Sequence, residues 1–207
     1  MATDWFRQEK WNEKIEQEFF AKLARARTQR DQYLVIQALT IATSHPMVAI
    51  RLIDLYFETK KSSFDDVRAL KARAEALLAA GQIESAISAM KEILAIERIK
   101  PNQKTNTYVD YPFLVATKNI SSEYVDALAV LHERESDLVF PVSKFKWHAA
   151  KSLIHHSLRE LDDSRMHAAL ALEVAKIKTS GFRYHQDLGL VGEEHRGTVA
   201  SLRQIYA

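Results

Sequence analysis

Histidine is the residue type through which this chain could most readily do chemistry. Imidazole nitrogens bind transition metals and exchange protons near neutral pH. His148 and His155 share one face of a predicted helix, but at 1.5 Å per residue their Cα atoms would lie about 10.5 Å apart. One metal ion would need a further ligand from a third element between them, so we expect no metal site. Six of the eight histidines fall in the last 60 residues: His148, His155, His156, His167, His185 and His195.

A second candidate for chemistry is the segment SGFRYHQDLGLVGEEHRG, residues 180–197, which holds four of the five glycines. Arg183, Tyr184 and His185 are neighbours in it and could contact a ligand. The glycines lack the lysine and the preceding strand of a phosphate-binding loop, and they are typical of chain reversals. Two interpretations stay open: the segment forms a wall of a binding site, or it only covers the end of a larger helical structure.

Other catalytic patterns give no support for an enzyme. Cysteine is absent, and no GxSxG motif occurs. Three pairs of neighbouring carboxylates fall just before or at a predicted helix start, where they stabilise the helix dipole. We therefore expect no catalytic residues and no cofactor. The pairs are Asp65-Asp66, Asp162-Asp163 and Glu193-Glu194.

The spacing of apolar and helix-breaking residues predicts the elements that position these groups. Five glycines and four prolines in 207 residues suit helices with short connections, and the alternation typical of strands is nearly absent. The predicted fold class is all-α. Asp4 is a candidate N-cap for the first helix, and the segment 101–112 is predicted to be a loop. The predicted helices cover residues 4–29, 30–43, 46–59, 67–80, 83–99, 113–120, 122–137, 143–158, 162–178 and 193–206.

An internal repeat organises these helices into pairs. A small residue opens the second helix of each pair, at Ala49, Ala86, Ala127 and Ser164, with spacings of 37, 41 and 37 residues. Such a residue lets two helix backbones approach closely. The clearest unit, 67–101, resembles a tetratricopeptide repeat (TPR). The matching residues are Leu70, Ala74, Leu77, Gly81, Ile83, Ala86, Met90, Ile93 and Pro101.

The resemblance implies one domain, 1–207, of stacked antiparallel helix pairs. About four irregular pairs over 30–178 would form a short TPR-like right-handed superhelix. The N-terminal helix, 4–29, and the C-terminal loop and helix, 179–207, would cap its two ends. Departures from the family pattern are the long spacing and the single turn glycine, Gly81, since Ser44, Ser122 and Arg159 stand at the other turns.

The resemblance also implies a function without catalysis. Proteins of this family bind a peptide or protein segment in a concave groove lined by the first helix of each pair. Carried onto this chain, the groove residues would be Asp31, Arg68, Lys71, Glu75, Lys146 and His156. Arg68, Lys71 and Lys146 would give the groove a basic rim. Arg183, Tyr184 and His185 would belong to its wall if the segment 180–197 forms one. We expect a protein-binding module or scaffold with a protein or peptide partner.

Two alternatives of other classes stay open. The first is an enzyme, or a domain that binds a small ligand or a metal, whose site uses the histidine-rich C-terminal half. Its members would be His148, His156, Arg183, Tyr184 and His185. The second is a structural homo-oligomer joined through the aromatic N-terminal helix, which carries Trp5, Trp11 and Phe19.

Charge and hydropathy limit the classes of partner. The chain carries 29 basic and 27 acidic residues, and a net charge of +2 does not favour a nucleic-acid partner. No run of 18 apolar residues occurs, and the first residues lack the apolar region of a signal peptide. We therefore expect a cytoplasmic protein with no membrane partner.

Overall fold

The computed structural model describes residues 4–207 and confirms the all-α class. Ten α-helices and three short 3-10 turns form in these residues, without a strand. The contacts divide the chain into two compact units, unit 1 up to Thr105 and unit 2 over Asn106–Ala207. The single domain expected over 1–207, of which residues 1–3 lie outside the described part, stays a prediction. None of the described helices combines the length and apolarity needed to cross a membrane.

The first four helices of unit 1 surround a buried aliphatic and aromatic core, and the fifth packs on the fourth through Ile93 and Leu70. Phe19 of the first helix and Tyr56 of the third are almost fully buried in the core. The fourth helix presents Ala69, Ala72 and Ala76 to this core, and these small side chains let it pack closely against its neighbours. The helices are α1 (Glu13–Leu23), α2 (Arg30–Ile41), α3 (Pro46–Thr59), α4 (Asp66–Ala79) and α5 (Ile83–Ile99).

The first helix begins nine residues later than the sequence analysis predicted. Asn12, in an extended conformation, caps α1 by accepting a hydrogen bond from the Ile15 N–H. The residues before it form turns, because the buried Gln37 side chain bonds both the N–H and the carbonyl of Gln8. A buried amide must satisfy its donors and acceptors, and the non-helical backbone at Gln8 allows this. The helix predicted over 4–29 is therefore wrong in its extent.

Unit 2 contains the other five helices, with 3-10 turns at Ser121–Glu123, Glu135–Asp137 and Glu193–His195. A buried cluster around Phe145, Ala149 and Leu202 joins its later helices. The helices are α6 (Thr107–Thr117), α7 (Tyr124–Glu133), α8 (Pro141–Ser157), α9 (Leu161–Ala175) and α10 (Arg196–Tyr206).

Helix α6 replaces part of the loop predicted over 101–112, and it contains Pro112. A proline inside a helix removes one hydrogen bond and costs about 3 kcal/mol. Burial of Tyr108 and Tyr111 offsets this cost, since burying a large apolar side chain contributes roughly 1.5–3 kcal/mol. The Tyr111 hydroxyl also donates to a Glu123 carboxylate oxygen at 2.7 Å. Tertiary packing therefore overrides the local preference that the sequence analysis relied on.

Three helix pairs share one turn geometry. Gly81, Asn119 and Arg159 each follow a helix with a positive φ, of 75°, 54° and 68°. In each turn the next residue's N–H returns to the carbonyl five positions earlier, for example Glu160 to His155 at 2.9 Å. This is the Schellman termination, which favours glycine and then asparagine at the left-handed position. The turn residues predicted at Gly81 and Arg159 are confirmed, whereas the middle turn residue is Asn119 and not Ser122 as predicted.

The small residues that define the repeat are all buried. Ala49, Ala86, Ala127 and Ser164 have no exposed surface. In the last pair Ser152 and Ser164 exchange two hydrogen bonds, each hydroxyl donating to the other residue's carbonyl at 2.9 Å. The close approach of α8 and α9 is thus fixed by two serines whose hydroxyls are satisfied without any larger partner.

Arg159 offers a test of the turn geometry. A left-handed conformation costs a side chain with a Cβ about 1–2 kcal/mol, and glycine avoids most of this cost. Arg159→Gly should therefore raise the free energy of unfolding by about 1 kcal/mol, measured by urea denaturation. Arg159→Ala removes the guanidinium but keeps the Cβ, and it should give no such gain. Equal stabilisation by both variants would contradict the turn assignment.

Candidate functional site

The α8–α9 pair brings three histidines together. The Nδ1 atoms of His148 and His167 lie 3.0 Å apart, and the rings of His155 and His167 are nearly parallel with centroids 6.0 Å apart. A metal shared by His148 and His155 was expected to need a third element between them, and α9 supplies one through His167. No candidate site predicted from the sequence contains His167. The repeat register could have indicated that His167 contacts α8, because Ser152 and Ser164 mark where the two helices cross.

Two carboxylates complete the cluster at the turn between α8 and α9. Glu160 Oε2 lies 2.5 Å from His155 Nδ1. One ligand atom from each of His155, Glu160 and Asp163 lies within 4.8 Å of the other two. Glu160 follows the left-handed residue Arg159, so the turn geometry decides where its side chain starts. The cluster combines one imidazole with two carboxylates at the surface of unit 2.

The inner part of the cluster is uncharged at neutral pH. Burial lowers the pKa of His148 and of His167 to about 4, and the nearby Lys151 ammonium acts in the same direction. Burial also lowers the pKa of Lys151, whose ammonium sits 3.9 Å above the Trp147 ring. With both imidazoles neutral, one ring donates and the other accepts the hydrogen bond between them.

The groove residues predicted in unit 1 have partners inside that unit. A carboxylate oxygen of Asp31 accepts from the Lys61 backbone N–H at 2.8 Å, which ties α2 to the connection after α3. On α4, Arg68 pairs with Asp65 at 2.9 Å. The other two predicted residues pair with each other across one helical turn, Lys71 with Glu75 at 3.4 Å. The side chains of Arg68, Lys71 and Glu75 are half-buried on α4.

The groove residues predicted in unit 2 differ in exposure. Lys146 pairs with Asp110 at 2.7 Å and lies 5.8 Å from the Phe113 ring centroid, so it stabilises the contact between α6 and α8. His156, Arg183, Tyr184 and His185 are exposed. The Arg183 guanidinium lies over the Tyr184 ring at 5.4 Å.

The glycine-rich segment packs on α8 of its own unit. Phe182 stacks on Phe140 with centroids 5.4 Å apart. Gly189 has a φ of +70°, its carbonyl accepts from the Val142 N–H, and a Cβ there would lie 2.5 Å from Phe140. The position of Gly181 after Lys176 and Lys178 predicts a helix C-cap, but this prediction is wrong because α9 already ends at Ala175. These contacts hold the segment against the start of α8, and its role as a wall of a binding site or as a cover alone stays a prediction.

His195 attaches the closing helix to the core of unit 2. Its ring lies 5.4 Å from the ring of Phe113 and 5.3 Å from that of Phe145, and the side chain is buried. Burial lowers the pKa of His195, with Lys146 adding to the effect and Glu194 and Asp110 opposing it. A neutral imidazole therefore serves here as a packing residue.

A groove of about 530 Å³ runs between α9 and α10. Apolar side chains on both helices line it, with Leu172 from α9 and Val199 from α10 among them. The chain at Val191 and Gly192 lines it as well. Its charged and aromatic lining residues are Glu173, Lys176, Glu193, Arg196, Arg203 and Tyr206.

The aromatic N-terminal residues are engaged within unit 1. Phe19 is buried, and Trp5 contacts it with ring centroids 5.5 Å apart. Trp11 donates its indole N–H to Glu16 at 2.8 Å and also packs against the core. Self-association through Trp5, Trp11 and Phe19 stays a prediction. Because Phe19 is buried, its side chain exposes little surface for such a contact.

Comparison with known proteins adds no relative. Protein-family models, curated proteins and solved structures were searched, and none of the three comparisons gave a match.

Acidification tests the packing role of His195. An imidazole ordinarily has a pKa of 6.5, and burial depresses it in the folded chain. Below pH 6.5 the unfolded state therefore binds the proton more readily, so the free energy of unfolding falls as the pH drops. His195→Leu should reduce the loss of thermal stability between pH 7 and pH 5. The exposed His185→Leu is the matched control and should leave that loss as in the wild type; a His195 variant with the full loss would refute the assignment.

Proposed function

We propose that this chain is a TPR-like helical-repeat protein that binds a segment of a protein partner and does no catalysis. The repeated turns at Gly81, Asn119 and Arg159 support the repeat, with spacings of 38 and 40 residues. Buried small residues at the helix crossings support it further. Repeat proteins of this kind present helix surfaces as binding sites.

The groove between α9 and α10 is the observation that carries the proposal. Its volume of about 530 Å³ falls in the range of sites that hold a ligand or an anchoring side chain. Leu172 and Val199 are only half-buried, so apolar surface inside the groove is available for burial. An amphipathic helix bound in such a groove would insert apolar side chains spaced three or four residues apart.

An apolar strip on α9 extends this surface. Met166 and Leu170 are spaced one helical turn apart and are 50% and 42% exposed. The next position on the same line is Glu173, which lines the groove. Exposed apolar side chains that continue an apolar groove are typical of a protein interface.

The charges around the groove indicate the chemistry of the partner. Glu173 pairs with Lys176 at 2.6 Å, and Glu193 pairs with Arg196. Arg203 lines the groove, is exposed, and has no ion-pair partner within residues 4–207. We infer a partner helix with an apolar face and an acidic residue that reaches Arg203.

The larger groove implied by the resemblance stays a prediction. Asp31 and Lys146 already hold their own units together, so reversing the charge of Lys146 would disturb the fold as well as any binding. Lys71, which pairs with the half-exposed Glu75 across one turn of α4, is the better residue for a test of that groove.

Peptide selection tests the α9–α10 groove. We expect a phage-displayed library of helical peptides to yield binders of the full chain with apolar residues at i, i+3 or i+4 and an acidic flank. Ala200→Arg fills the groove and Arg203→Glu reverses its unpaired charge, so each should weaken a selected peptide by about tenfold or more, the effect of roughly 1.4 kcal/mol. Isothermal titration calorimetry gives the dissociation constants.

The matched control is Gln204→Glu, which changes the charge of α10 at an exposed position outside the groove lining. It should leave the affinity unchanged. Failure to enrich any helical peptide, or equal binding by the wild type and Ala200→Arg, would overturn the proposed site.

A further inference from the structure

We propose that His155, Glu160 and Asp163 bind one divalent transition-metal ion of the zinc class on the α8–α9 pair. The three residues come from the last turn of α8, the connection and the first turn of α9. A ligand atom of each lies within 4.8 Å of the other two. The proposal is independent of the groove between α9 and α10, because it uses none of the groove's residues.

The donor set selects the class of metal. One imidazole nitrogen and two carboxylate oxygens suit zinc and its neighbours, whereas calcium takes six to eight oxygen ligands. With bonds of about 2.0–2.2 Å, donors around a tetrahedral ion lie roughly 3.3–3.6 Å apart. The three ligand atoms lie within 4.8 Å of one another, so side-chain rotation would bring them to this spacing around an ion. Glu160, whose side chain is 51% exposed, is free to make that movement.

His155 and Glu160 are already in direct contact without a metal ion. His155 Nδ1 and Glu160 Oε2 lie 2.5 Å apart, joined by a hydrogen bond. A metal ion would replace the hydrogen atom of this bond once the two ligand atoms move apart to about 3.3–3.6 Å. Water would fill the remaining coordination position, since both carboxylates face the solvent.

The backbone around the three ligands is rigid. The Glu160 N–H donates to the His155 carbonyl at 2.9 Å across the turn. The hydrogen bonds between Ser152 and Ser164 fix α8 against α9 on the inner side. A ligand set on fixed backbone positions loses little conformational entropy when it binds a metal.

His167 and His148 support the first ligand from behind. The His155 ring lies nearly parallel to the buried His167 ring, with an angle of 17° between their planes. His167 is held in turn by its contact with His148 at 3.0 Å. This stack limits the orientations of the His155 ring, as the residues behind a metal ligand commonly do.

Lys151 is the charge that opposes metal binding. It precedes His155 by one helical turn, and Asp163 is among the charges that act on its ammonium. A cation at Lys151 competes with a metal ion for Asp163. Replacing Lys151 by a neutral residue of similar length should therefore strengthen metal binding. A variant that merely disturbed the fold would weaken it.

The carboxylates resolve the spacing problem in the sequence. His155 and His148 lie too far apart on α8 to share one ion, and this spacing led to the expectation of no metal site. The sequence alone explains Asp163 through the helix dipole and assigns no role to Glu160. The turn at Arg159 brings them to His155, and only the folded pair shows this.

Zinc and cobalt titration of the full-length, untagged chain tests the site. We expect Zn²⁺ to bind with one ion per chain, and Co²⁺ to give the visible absorption of a tetrahedral site. His155→Gln, Glu160→Gln and Asp163→Asn should each weaken Zn²⁺ by about tenfold or more, as loss of a metal ligand or its support does. Lys151→Met should bind Zn²⁺ more tightly than the wild type.

His156→Gln is the matched control, since it removes the neighbouring exposed imidazole from the same helix. It should bind Zn²⁺ as the wild type does, and far-ultraviolet circular dichroism should show that every variant is folded. The proposal is overturned if the wild type shows no saturable binding, or if Ca²⁺ competes equally with Zn²⁺. Binding that survives Glu160→Gln and Asp163→Asn but is lost in His148→Gln would also overturn it.

Discussion

This structure depends on one constraint: two antiparallel helices pack closely after a left-handed residue ends the first of them. Gly81, Asn119 and Arg159 each stop a helix and return the chain along it. The returning helix can approach only where a small side chain stands at the crossing, as Ala86, Ala127 and Ser164 do. Where the crossing residue carries a hydroxyl, a reciprocal pair of hydrogen bonds with Ser152 satisfies it. Turn and crossing together decide which side chains of a pair meet.

In unit 2 this constraint produces a polar cluster as well as a core. The register between α8 and α9 places His167 against His148 and His155. The turn then brings Glu160 to the outer side of His155. Histidines buried in this way stay neutral, because desolvation disfavours their charged form. The same helix pair therefore combines a neutral, buried interior with an acidic, exposed edge, and this contrast underlies the proposed metal site.

Helix α9 connects the two proposed functions. Its first turns carry Asp163 and His167, whereas its later turns carry Leu172 and Glu173 of the groove with α10. The chain before the closing helix is anchored by Gly189 against Phe140, at the start of α8, and by His195 against Phe113 and Phe145. A segment whose residue types first suggest chemistry thus positions the closing helix beside α9, where the proposed groove lies. Its exposed residues, Arg183 to His185, are the part that packing leaves unexplained.

The sequence by itself determined what depends on neighbouring residues: the all-α class, the bounds of α5 at Ile83 and Ile99, the turn at Gly81 and the small residues at helix crossings. Periodicity and backbone preference act over a few residues, so they can be seen in the chain alone. Only the tertiary structure decided the helix through Pro112, the start of α1 at Asn12 and the meeting of His155 with His167. Each of these depends on partners distant in sequence: buried tyrosine packing, the Gln37 amide and the crossing of α8 with α9. Their free energies outweigh the local preferences, and the linear sequence does not show which distant residues will meet.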